Sequence, residues 1–338
     1  MKLSTSAKLR QATLARDREL SLGLVATAVL ALLPALAPDW QLSELARYFS
    51  YMMLAASLAW VWGHCGLLCL GQAVFFGIGA YAMSVVSLAK LPMLPQLQSM
   101  WLGLLLAVAL TGAFAWFLGL LFFSSARLGG AFFGIVTLAV AFIVERLAIN
   151  WSFLGGLNGL MGVPAMRFGL NGGEEQFDGV VVYYVALLLT VALIGLLLRI
   201  TRSEWGRVMT AVRNQPLRAE ALGIDVAREK NRAFVLGAVI ASVAGAFFVT
   251  QFNFASPPLI GFALSAEALI WVAVGGRTSV VAAALGALLV RLLEGWLTDQ
   301  LGDYWLLALG SLFVVVVVAL PRGVLGQWIA GRTALRQE

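Results

Sequence analysis

The sequence predicts an all-α membrane protein of about ten transmembrane helices. Several are expected to be broken or re-entrant at glycine-rich points, and both ends of the chain are expected in the cytoplasm. Three observations carry this reading. The chain is 61% hydrophobic and only 12% charged, against about 25% charged in soluble domains, and its mean hydropathy is +0.91. Its apolar residues come in long continuous runs, not in period-2 alternation, which selects helices over a β-barrel. Its charges are sorted between alternate loops, as membrane orientation requires.

A span needs roughly 20 mostly apolar residues. Candidate spans cover 22–38, 45–62, 65–88, 101–123, 131–149, 180–200, 233–252, 263–276, 279–297 and 303–320, the eighth being short. Lys2, Lys8, Arg10, Arg16 and Arg18 precede the first span. No small-residue cleavage site of convincing form follows it, so residues 1–21 read as the cytoplasmic start of a retained anchor. The even-numbered loops are then cytoplasmic. They carry Arg127, a basic run at 199–232, Arg277, and a tail (321–338) with Arg322, Arg332 and Arg336. The external loops carry Asp39 and Glu44, then Glu174, Glu175 and Asp178, then Asp299 and Asp303. Lys90 and Arg167 run against the pattern. The transmembrane domain is 22–320.

The link from the second span to the third, Trp62-Gly63-His64-Cys65-Gly66, is too short and apolar for an ordinary loop. It opens GHCGLLCLGQAVFFGIGAYA, which places Gly63, Gly66, Gly71, Gly77 and Gly79 close together. Glycine lets backbone bend and lets helices approach. Broken backbone at membrane depth is tolerated only where it faces protein or a water-filled cavity. A second interrupted stretch, SAEALIWVAVGGRTSVVAAALGA with Gly275-Gly276, lies in the other half. Paired interruptions point to a transport pathway; the competing reading is close helix packing with no passage. Candidate pathway residues are Gly66, Gly71, Gln72, Gly77, Glu267, Gly275 and Gly276. Gln72 and the glycines offer amide and backbone polar groups without fixed charge.

The 150–179 stretch is glycine-rich and mildly acidic, and reads either as a docking loop for an external partner or as a plain connector. Eight of the 23 Lys and Arg residues fall within 199–232: Arg199, Arg202, Arg207, Arg213, Arg218, Arg228, Lys230 and Arg232. The same run holds a short helix signal. Pro216 suits a first helical position, Asn214 or Gln215 a cap before it, and Gly223 the residue after its end. A capped helix on a cytoplasmic loop is a candidate docking element for a soluble partner, the alternative being a solvated basic linker.

Among charges in or near spans, Glu145 and Arg146 lie near a span end. Arg291 and Glu294 have i,i+3 spacing, and Glu267 has no obvious local partner. Cys65 and Cys69 read as small apolar core residues, and His64, the lone histidine, builds no metal site. Net charge is +6 with pI near 9.7. This charge sits beside spans, so orientation explains it better than nucleic acid does. No Walker motif, HExxH or serine–histidine–acid set is present. The sequence therefore reads as a non-enzyme without cofactor or metal, and any active transport must draw its energy from another subunit. No chain of mid-membrane acids supports the alternative, an ion-coupled secondary transporter.

Three stretches resemble the membrane permease subunits of ATP-binding-cassette importers for branched-chain amino acids and urea. They are GLLCLGQAVFFGIGAYA (66–82), GRVMTAVRNQPLRAEALGIDVAREKNRAFVLGAVIASVAGAFF (206–248), and ALIWVAVGGRTSVVAAALGALLV (268–290) followed by LPRGVLG (320–326). The 268–290 wording and Tyr304-Trp305 also look like urea permeases, whereas Ala219 to Ile224 is closer to the amino-acid branch. His64, Cys65 and Cys69 depart from the family pattern. The resemblance implies that Pro216, Arg218, Ala219, Glu220, Ala221, Leu222 and Gly223 form a coupling helix. It also implies a second homologous permease, two cytoplasmic ATPases that bind the ATP, and an extracytoplasmic substrate-binding protein. The expected setting is the bilayer of a bacterial inner membrane.

Overall fold

The computed structural model describes residues 5–90, 99–123, 131–166, 178–304, 307, 310, 311 and 323–330. The chain is built almost entirely of helices: α1 (Thr5–Leu32), α2 (Asp39–Leu58), α3 (Gln72–Ser87), α4 (Met100–Phe123), α5 (Ala131–Asn150), α6 (Gly179–Arg202), α7 (Glu204–Asn214), α8 (Pro216–Ala221), α9 (Val226–Phe252), α10 (Phe262–Gly275), α11 (Val280–Leu301) and α12 (Val324–Ala330). Among the described residues, six helices are long and apolar enough to cross a membrane: α1, α4, α5, α6, α9 and α11. Two more apolar helices, α3 and α10, are shorter. Most of the predicted span 303–320, together with Arg127, Arg167, Glu174, Glu175 and the tail residues Arg322, Arg332 and Arg336, lies outside the described residues.

The centre of the fold is α9, packed by α2, α3 and α4. It starts where Asp225 accepts from the Arg228 N–H at 3.0 Å and ends at Asn253, which takes a left-handed φ of 57°, a conformation asparagine tolerates better than most residues. Most of α9 is buried, and many of its buried residues are small: Ala233, Gly237, Ala238, Ala241, Ser242, Ala244 and Gly245. Small residues let helix backbones approach where no hydrophobic drive separates core from lipid. Polar ties follow. Thr111 on α4 donates to Ser242 (2.9 Å), and Ser242 donates to the Ala107 carbonyl (3.0 Å). Phe75, Phe122, Phe123, Phe133 and Phe234 fill the space between α3, α4, α5 and α9 edge to face and stacked. The outer helices α4, α5 and α6 instead present large apolar side chains outward, among them Leu105, Phe117, Ile135, Leu147 and Leu188.

The α3–α9 approach gives a direct prediction. A Cβ on Gly79 would land on the Ser242 carbonyl, and one on Gly245 on the Phe76 carbonyl. Backbone meets backbone, so no side chain can yield. Gly79→Val is expected to destabilise the protein by about 1–3 kcal/mol, read as a lower melting temperature in detergent. Gly195→Val, which meets nothing within 4 Å, is the control. Equal melting of both variants would remove the close-packing account.

The predicted third span, 65–88, is only partly helical. α2 ends in a π-helical turn over Ala59–His64, residues 65–71 are non-helical, and α3 starts at Gln72. The 62–66 link is thus a break after a wound-out helix end. In the 150–179 stretch, a two-residue strand β1 (Leu160–Met161) pairs antiparallel with β2 (Phe254–Ala255) after α9. Residues 167–177 of that stretch are outside the described set.

Candidate functional site

The 199–232 run holds the end of α6, the helices α7 and α8, and the start of α9; the short helix read from sequence is α8, and α7 is additional. Ser203 caps α7 by accepting from the Gly206 N–H at 3.3 Å. Pro216 opens α8, but neither predicted cap supplies a side-chain bond; Gln215 occupies the cap position through its backbone alone, its carbonyl accepting from Ala219 at 3.1 Å. The far end of α8 is closed by two bonds, Gly223 N–H to Glu220 carbonyl (2.9 Å) and Ile224 N–H to Ala219 carbonyl (3.1 Å). This pair is the Schellman pattern, and it places Gly223 in the left-handed region at φ 85°, where glycine carries no Cβ penalty. α8 is therefore a rigid, capped turn and a half of helix. Ala219 is buried beneath it, while Arg218, Glu220 and Ala221 are exposed. Leu217 and Leu222 stand out from it at 79% and 76% exposure, an unusual setting for two leucines on so short a polar helix.

α7 is fastened to the helices beside it. Trp205 donates to Glu229 of α9 at 2.5 Å, and its ring lies 5.5 Å from that of Trp60 at the end of α2. Trp60 in turn donates to the Ala233 carbonyl at 3.0 Å. At the other end of α7, the Arg213 guanidinium donates to the Gly63 carbonyl in the first break. Its aliphatic stem packs so closely on Gly66 that a Cβ there would come within 2.9 Å of the Arg213 Cγ. Partial burial, and then the nearby Arg277, lower the Arg213 pKa from its ordinary value.

The freed backbone of the first break is held by local carbonyls and by side chains from elsewhere. The Cys65 and Leu67 N–H groups bond to the Trp60 and Val61 carbonyls (3.2 and 3.0 Å). The Leu70 N–H bonds to Thr137 of α5 and the Ala73 N–H to Ser265 of α10, each at 3.0 Å. This is how broken backbone survives among apolar helices. Cys65 and Cys69 are both buried free thiols.

The second break lies against the first. α10 ends at Gly275, Gly276 takes φ 131°, and α11 begins after Ser279, which accepts from Ala282 N–H at 3.1 Å. A Cβ on Gly63 would land on the Arg277 carbonyl, and the Arg277 guanidinium sits over the Trp62 ring at 5.6 Å. The structure thus brings together Gly63 and Gly66 of one break, Gly276 and Arg277 of the other, and Arg213 from α7.

The other predicted pathway residues are dispersed. Gln72 is fully buried between α2 and α9, donating to Ser57 (3.0 Å) and to the Gly237 carbonyl (3.2 Å). Gly71 packs on the Thr137 backbone and Gly77 on Ile260. Gly275 sits against α11, where a Cβ would meet the Ala282 carbonyl. Glu267 stands apart from all of these, bonded to Arg291 of α11 at 2.7 Å. Sequence reading missed Arg213 as a contact, Leu217, the anchors Ser57, Thr137 and Ser265, and the partner of Glu267. Arg213 appeared only as one basic residue among eight, and nothing local marks it out. Among the described residues no group of His, Cys, Asp and Glu is arranged to hold a metal.

The family described as branched-chain amino acid transport system / permease component matches residues 42–319, which include both breaks and the 199–232 run. The high-affinity branched-chain amino acid transport system permease protein LivM of Salmonella typhimurium is 32% identical, over 81% of this chain and 67% of its own. The corresponding permease protein BraD of Pseudomonas aeruginosa is 27% identical, over 82% of this chain and 92% of its own. LivH of Escherichia coli is 25% identical over the same shares. The matched span and these identities together identify the chain as a member of the family of branched-chain amino acid transport system permease components.

Proposed function

We propose that this chain is one of two permease subunits of an ATP-binding-cassette importer in a bacterial inner membrane, and that it carries branched-chain amino acids. The relatives' names support the solute class. The observation that carries the mechanism is the capped helix α8, joined through α7 and Arg213 to the point where the two breaks meet. In this reading ten spans cross the membrane within 22–320, with both termini and the 199–232 run in the cytoplasm; the sorting of basic residues supports that orientation. Two partner ATPases bind the ATP, the second permease is a homologue of this chain, and a binding protein delivers solute at the 150–179 face.

The physical sequence is short. One ATPase receives residues 216–223, with Leu217 and Leu222 as apolar anchors and Arg218 and Glu220 at the rim, and the other receives the matching element of the second permease. When the ATPases close, α8 moves as a rigid body, because Pro216 fixes its first turn and the Schellman bonds close its far end. α7 follows, and Arg213 pulls on the Gly63 carbonyl. The wound-out end of α2 gives, because its π-helical turn and the left-handed Gly66 form a hinge already. Gly276 yields beside it. Gln72, Gly71, Gly77 and Gly275 hold the helices on either side of the hinge, and Glu267 faces the passage.

The test is reconstitution in proteoliposomes of the chain with the proteins that co-purify with it after mild crosslinking. Uptake of leucine that needs both ATP and the binding protein is expected. Uptake by this chain alone under an ion gradient would reject the importer in favour of a secondary transporter. ATP-driven uptake of urea but not leucine would reject the solute assignment only.

A further inference from the structure

One charged group in the membrane-spanning region is not used by the coupling argument. Arg291, midway along α11, is bonded to Glu267 of α10 and to Glu294 one turn further along α11, each at 2.7 Å. Its guanidinium lies over the rings of Tyr51 on α2 (4.2 Å) and Trp271 on α10 (4.9 Å). Beyond it, toward the start of α2, Tyr48 donates to Glu44 at 2.5 Å. The other nearby cation, Arg47, sits over Phe252 at 5.8 Å. Three helices thus build one polar face. At its centre one cation faces two carboxylates.

The three side chains differ in access. Arg291 and Glu294 are 14% and 18% exposed, while Glu267 is 36% exposed. Arg291 takes only Glu267 Oε2; Glu267 Oε1 has no hydrogen-bond partner among the described residues, and neither has the buried Arg291 Nε. A carboxylate directed at lipid is costly, and ionisable groups within spans mark solute paths by default.

We propose that Glu267 is the acceptor for the ammonium group of the transported solute, with Arg291 as its positioning residue. The proposal rests on the amino-acid reading above and names the residue that would meet the solute's positive end. The open Oε1 accepts an N–H of the ammonium, and the added charge brings the Arg291, Glu267 and Glu294 group from one net negative charge to neutrality. Arg291 keeps hold of the other oxygen throughout. The ammonium therefore meets a carboxylate whose charge is already shared, and so a site it can leave, as conduction requires. Urea, with no ammonium, gains little from it.

The test uses the complete reconstituted transporter, with leucine uptake per ATP hydrolysed measured at saturating binding protein. Glu267→Gln is expected to lower that ratio by at least about tenfold, an energy of ~1.4 kcal/mol, with subunit composition unchanged. Glu267→Asp, which keeps the charge, should recover part of it. An unchanged ratio in Glu267→Gln would overturn the proposal. So would loss of the partner permease from both variants, which would make the cluster a structural clasp. A wild-type complex that moves urea and not leucine would overturn the solute reading itself, a result separable from either of these.

Discussion

Leu217→Asp combined with Leu222→Asp is expected to abolish ATP-driven uptake while leaving the chain folded. Both side chains are more than three-quarters exposed, so neither contributes much to the stability of the isolated subunit. Buried in a partner groove, each would contribute roughly 1.5–3 kcal/mol. Losing both weakens docking by about a hundredfold or more, and an aspartate pressed into an apolar groove adds desolvation cost. The check is pull-down of the ATPases by the purified variant beside its melting temperature. Lost ATPases with unchanged melting support α8 as the docking element. Retained ATPases with normal uptake would sink that assignment, and α8 would then be a solvated connector.

Arg213→Ala is expected to separate hydrolysis from transport. The substitution leaves α8 and its exposed leucines untouched, so the ATPases should still bind and still turn over. It removes the bond to the Gly63 carbonyl and the stem that packs on Gly66. A hydrogen bond from a charged donor is worth about 1.5–3 kcal/mol, and with it goes the described tie between α7 and the first break. The leucine-to-ATP ratio should fall by roughly tenfold or more. Loss of ATPase binding as well would mean that Arg213 shapes the docking face. An unchanged ratio would show that force passes by another route, the Trp205–Trp60 contact being the next candidate.

These two expectations separate what each level of structure contributes. The short helix α8 is visible in the sequence because its signals are local: a proline at its start and a glycine after its end, within eight residues of one another. The sequence still missed α7, whose cap Ser203 sits in a basic run that reads as loop. It also assigned a side-chain cap to Asn214 or Gln215, and neither side chain caps the helix. The break at 62–66 was legible from its glycines and its lack of loop polarity. Which groups satisfy its freed N–H groups was not, since Thr137 and Ser265 lie far along the chain on α5 and α10.

Gln72 and Glu267 illustrate the same division. Both stood out as polar residues in apolar segments. Folding buries Gln72 between Ser57 and Gly237, as a lock between α2 and α9, and leaves Glu267 part-exposed beside Arg291. Their sequence surroundings do not distinguish them.

The sequence by itself determined that the chain is helical and membrane-embedded, how its charge is sorted, and that a short helix opens at Pro216 and closes before Gly223. All of these follow from composition, run length and local backbone chemistry. Only the tertiary structure decided that the two breaks touch, that Arg213 reaches Gly63 across 150 positions, and that Glu267 pairs with Arg291. The physical reason is the solvent. In water, an amphipathic stripe marks the buried face of a helix. In a bilayer the lipid-facing side is as apolar as the core, so the sequence carries no stripe to say which faces meet, and packing alone selects them.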